Sequence, residues 1–113
     1  MKRYAVVFEE SAQADVRESY EWGCRVWGKR EAQQWVRALR TAVSRQLAVV
    51  PKGFALAPED DEFSEEIRQM IVGRYRVLFT ITGRKVHVLH VRERMWIRLN
   101  GLRIDELRSL QKL

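Results

Sequence analysis

The chain has 113 residues, 46% hydrophobic and 32% charged, which suffices for one modest buried core. Cys24 is the only cysteine, so an internal disulfide is excluded, and no apolar run is long enough to span a membrane. The formal charge of +6 and a pI near 10.0 point to an anionic partner such as nucleic acid, ribosome or an acidic protein segment. The plainer reading is that surplus surface arginine confers solubility.

Residues 3–9 read as a first strand, and their nearly continuous apolar character suits a central or helix-covered position. The run Tyr4 to Phe8 is too short for a signal-peptide core and leads into Glu9-Glu10. With a lone cysteine, this predicts a cytoplasmic protein. Ser11 reads as an N-cap, with Asp15 and Glu18 placing negative charge near the helix start. Ala12, Val16, Tyr20, Val26 and Trp27 recur at helical spacing, which predicts a helix over 12–27 that Gly28 breaks. A second helix runs from Glu31 to about Val50, with Trp35, Leu39, Val43 and Leu47 on one face, and Pro51 and Gly53 end it. The two form an antiparallel hairpin whose apolar stripe must pack on a sheet. Trp22, Trp27 and Trp35 are expected in that packing, and Cys24 is expected as a structural thiol.

Residues 51–64 read as a loop, pinned by Phe54, Leu56 and Phe63. Its acidic run Glu59-Asp60-Asp61-Glu62 lacks a histidine at ligand spacing, so a solvated turn is expected and no metal. Residues 65–94 read as three strands. Ile67, Met70 and Val72 fall in the first, Val77, Phe79 and Ile81 in the second, and Val86, Val88 and Val91 in the third. Turns are expected at Val72-Gly73 and Thr82-Gly83. Leu102–Leu113, with Leu107, Leu110 and Leu113, reads as a short terminal helix within a C-terminal extension over 98–113. The expected fold is α+β, ordered β-α-α-β-β-β. A helical hairpin packs on a small twisted antiparallel sheet, in one domain over 1–113.

The three strands carry Arg68, Arg74, Arg76, Arg92 and Arg94, with His87 and His90 among them. Cleaving RNA through its own 2′-hydroxyl needs a base, an acid and cations for the phosphorane charge, and no metal or other cofactor. Arg76, Arg68 and Arg92 or Arg94 can surround one phosphate, because guanidinium forks match phosphate oxygens. His90 can serve as base or acid near neutral pH. Strand alternation sets His90, Arg92 and Arg94 on one face, and Arg74 with Arg76 on another, while Trp96 can stack a base. Each residue also has a structural reading: Arg68 paired with Glu65 or Glu66, Arg76 as an edge cation, His90 as a satisfied half-buried imidazole.

The runs Ala57-Pro58-Glu59, Glu66-Ile67-Arg68-Gln69, Gly73-Arg74-Tyr75-Arg76-Val77-Leu78-Phe79 and Val88-Leu89-His90-Val91-Arg92 resemble the RelE/ParE superfamily of bacterial toxins over roughly residues 3–95. The resemblance implies the toxin of a type II toxin–antitoxin module, held inactive by a cognate acidic antitoxin. It also implies that operator DNA is contacted only through that complex. In the RelE-like branch, a ribosome-dependent mRNA endonuclease, Arg76 matches the arginine used on the substrate phosphate, and Arg92-Glu93-Arg94 resembles the C-terminal basic motif. Where that branch carries a lysine pair this chain has Ile67 and Gln69, and where it carries a tyrosine the nearest aromatic is Trp96. The ParE-like branch, which poisons DNA gyrase, is favoured by the missing lysines. A non-toxic basic module that binds nucleic acid or protein is the third alternative, and a homodimer is compatible with all three.

Overall fold

The computed structural model describes residues 3–58, 60 and 63–93. Their regular elements are β1 (Ala5–Phe8), α1 (Glu10–Val26), α2 (Lys29–Leu47), β2 (Arg68–Val72), β3 (Tyr75–Thr82) and β4 (Lys85–Glu93), with a 3₁₀ turn at Pro51–Gly53. The expected terminal helix lies outside the described residues.

The strands form one sheet in the order β1-β4-β3-β2. β2, β3 and β4 are antiparallel, but β1 lies parallel to β4, so the sheet is mixed rather than antiparallel. β1 is also an edge strand rather than a central one. Its continuous apolar run reflects cover on one face: Tyr4, Val6 and Phe8 pack on the core while Ala5 and Val7 stay exposed.

α1 begins earlier than the Ser11 reading predicts, because the extended residue before it is Glu9, and the Ser11 hydroxyl is drawn to β4. Between the helices Gly28 takes φ 102° and ψ 156°, a region essentially closed to residues with a Cβ, and this sets the sharp reversal of the hairpin. Gly23 is buried at the helix crossing, where a Cβ would lie 3.0 Å from Trp27 Cε3 and 3.3 Å from the Ala32 methyl. The tryptophans pack as expected of large aromatics at helical spacing. Trp22 and Trp27 meet edge-to-face at 5.2 Å, and Trp35 lies 4.8 Å from the Tyr75 ring.

Leu39, Val43 and Leu47 of α2, with Ala12 and Val16 of α1, bury against Val77, Phe79, Val86, Val88 and Val91 of the sheet. Each fully buried side chain of this size contributes about 1.5–3 kcal/mol. The register has one irregularity: Phe79 pairs with Val88 and Leu78 with His90, leaving Leu89 as the extra residue of a β-bulge in β4. The bulge lets Val88 and Val91, three residues apart, both face the helices. A second, smaller core on the far face joins Ala57, Ile67 and Leu78, with Leu89 against it. The loop is held there by Ala57 N donating to Ile67 O at 2.7 Å and by Ile67 N donating to Asp60 Oδ1 at 2.8 Å. Asp60 is therefore half-buried and holds the loop rather than standing in a solvated turn; its neighbours Glu59, Asp61 and Glu62 lie outside the described residues.

Candidate functional site

The face of the sheet turned away from the helices carries cations. Tyr75, Val77 and Phe79 of β3 belong to the helix-side core, so strand alternation turns Arg76, Leu78 and Thr80 the other way. Cross-strand pairing sets Arg92 opposite Arg76 and His90 opposite Leu78, making Arg76, Arg92 and His90 one contiguous patch. Like charges directly opposite each other on a sheet are destabilising, and here the repulsion is offset by polar neighbours. Arg76 Nη1 donates to Gln69 Oε1 at 3.1 Å, and both guanidinium groups have further partners.

Two of the arginines read from the sequence stand elsewhere. Arg68 shares the helix side with Met70 and Val72, and its guanidinium holds the loop: Nη1 donates to Phe54 O at 2.6 Å and Nη2 reaches Glu66 Oε1 at 3.4 Å. Arg74 occupies the turn between β2 and β3, where strand alternation no longer applies, and is exposed. Arg94 and Trp96 lie outside the described residues. The positions matched to the lysine pair of the RelE-like branch are spent structurally, since Ile67 is fully buried and Gln69 is bonded to Arg76.

His90 is held by a group the sequence reading assigned only to the helix dipole. Asp15 Oδ2 lies 2.9 Å from His90 Nδ1 and also accepts Val91 N at 2.9 Å. One helical turn earlier, Ser11 Oγ donates to Leu89 O at 2.6 Å. The reason is a gap in the sheet: β1 ends at Phe8, and among the described residues no strand lies beside the outer edge of β4 beyond Val88. Ser11 and Asp15, four apart on α1, satisfy that edge instead. His87 forms a parallel contact, its Nδ1 2.7 Å from Glu9 Oε1. The spacing Ser11…Asp15 was the available signal, but its meaning depends on which edge α1 lies along.

The helices present a second polar surface. The groove between them has Val16 and Val36 at its base and Arg17, Arg37 and Arg40 along it. Arg40 also lies over the Phe8 ring at 5.2 Å. Within the hairpin a hydrogen bond with Cys24 raises the Tyr20 phenol above its ordinary range. The apolar period of α2 marks only its core face, and the signal on its other side is charge. There, no Asp or Glu occurs between Glu31 and Glu59. Among the described residues no group of three or more His, Cys, Asp or Glu could hold a metal, and no helix is long and apolar enough to cross a membrane.

A family model described as "ParE toxin of type II toxin-antitoxin system, parDE" matches residues 6–95. Ten chains of solved structures match the fold. One, described as "Chromosomal ParDE TA system from P. aeruginosa", is 18% identical with a TM-score of 0.67, covering 80% of this chain and 95% of that one. No curated protein matches.

Proposed function

This chain belongs to the ParE toxin family of type II toxin–antitoxin systems, and we propose that it arrests growth by acting on DNA gyrase in the cytoplasm rather than by cutting mRNA. One observation carries the choice. The groups that phosphodiester cleavage would need do not converge on one point: Arg68 is turned to the helix side and bonded to Phe54 O, while His90 is tied to Asp15. Arg76 and Arg92 remain as a cationic pair, and the imidazole in their patch is already held by the Asp15 carboxylate. Such a pair suits a protein–protein contact with an acidic surface as well as it suits phosphate.

A type II toxin implies an antitoxin partner. The hairpin groove fits an acidic amphipathic segment that folds on binding, with apolar side chains on Val16 and Val36 and carboxylates at Arg17 and Arg37. Operator DNA would then be bound by the antitoxin in the complex.

The reading is tested by inducing this chain alone in a bacterium and following nascent DNA and protein synthesis over the first minutes. Early loss of DNA synthesis with a damage response supports gyrase. Immediate loss of translation, relieved by Arg76→Ala, overturns it in favour of the nuclease.

A further inference from the structure

On the side of α2 opposite the core, Arg30, Arg37 and Arg45 are all exposed. Their spacings of seven and eight residues keep them within one face of the helix. The rise per residue sets them in a row about 22 Å long. Gln34 and Thr41 lie between them on that face and supply uncharged hydrogen-bonding groups. None of the three arginines forms an ion pair with a described residue. The acid-free stretch between Glu31 and Glu59 leaves nothing in α2 beyond its first turn to neutralise them.

We propose that this face of α2 is a binding surface for the phosphate backbone of duplex DNA, used by the toxin itself and without base-specific readout. Two features favour a polyphosphate over a polypeptide. First, no large hydrophobic side chain is exposed on α2 among the described residues, and the apolar surface of this face comes from the small side chains of Ala38 and Ala42, so an amphipathic partner would find only a shallow anchor there. Second, a row of guanidiniums interleaved with amide and hydroxyl groups is the equipment of backbone contacts. The choice of DNA among polyphosphates rests on the gyrase reading, since gyrase presents its own DNA to anything bound beside it. Arg37 borders both this face and the hairpin groove, so an antitoxin in the groove would weaken DNA binding.

The test measures fluorescence anisotropy of a labelled duplex of roughly 20 base pairs, long enough to span the row, titrated with the full chain over a range of salt. Arg30→Glu/Arg45→Glu is compared with Lys52→Glu/Lys85→Glu, an equal change of net charge at exposed positions away from α2. The proposal expects the α2 double variant to bind at least about tenfold more weakly, with a log K against log salt slope flatter by about 1.8. The control should lose no more than about threefold. Equal losses in both variants, or no binding by the wild type, would overturn it. So would tighter binding to duplex RNA of the same sequence or to a polyglutamate peptide. If a charge reversal impairs folding, the Gln versions of the same pairs carry the comparison. No gyrase is present, so this result stands apart from gyrase inhibition measured in a separate supercoiling reaction.

Discussion

Asp15 ties α1 to β4 through one carboxylate oxygen, which meets both the His90 imidazole and the Val91 amide. Removing it leaves a backbone N–H at the edge of β4 without its acceptor, a loss of about 1–3 kcal/mol. Asp15→Ala is therefore expected to lower the unfolding free energy measured in urea by that amount, and His90→Gln to cost less, because the Val91 bond survives. If His90 is a clamp rather than a proton-transfer group, His90→Gln also remains toxic when induced alone. Loss of toxicity in soluble, stable His90→Gln protein would return the imidazole to a chemical role. The sequence pattern made His90 visible as a candidate in either capacity. It could not separate them, because the partner is 75 positions away.

At the scale of the elements, the hairpin depends on two glycines for different reasons. Gly28 supplies a backbone conformation, and Gly28→Ala is expected to cost about 1–3 kcal/mol by thermal or urea unfolding. Gly23 supplies space: Gly23→Val would press on Trp27 and Ala32 and cost about 1–3 kcal/mol through overpacking. The helices and the β2-β3-β4 meander were legible because their apolar periods are strong and the turns carry glycine. The orientation of β1 was not, since four extended residues read alike in a parallel or an antiparallel partner. The far-face patch was legible only in part. Two-residue spacing placed His90 with Arg92, but turn geometry removed Arg74 and the pairing register removed Arg68.

Across the whole molecule the positive charge is divided between two surfaces: the far face of the sheet, with Arg76 and Arg92, and the helical hairpin, with Arg30, Arg37 and Arg45. The division fits a toxin that meets more than one anionic partner: its target at the sheet, the antitoxin in the hairpin groove, and DNA along the outer face of α2. Because Arg76 and Arg92 stand opposite each other, Arg76→Glu/Arg92→Glu should keep the fold while removing the cationic pair. Growth arrest on induction should fall with it, whereas Arg68→Gln should act chiefly on stability through the Phe54 contact. The measurement that bears most directly on the account is supercoiling of relaxed plasmid by purified gyrase with and without this chain. The account predicts loss of supercoiling or accumulation of cleaved plasmid, relieved in the Arg76→Glu/Arg92→Glu variant. Undiminished supercoiling at a large excess of folded toxin, with mRNA cut in a parallel translation reaction, would contradict it.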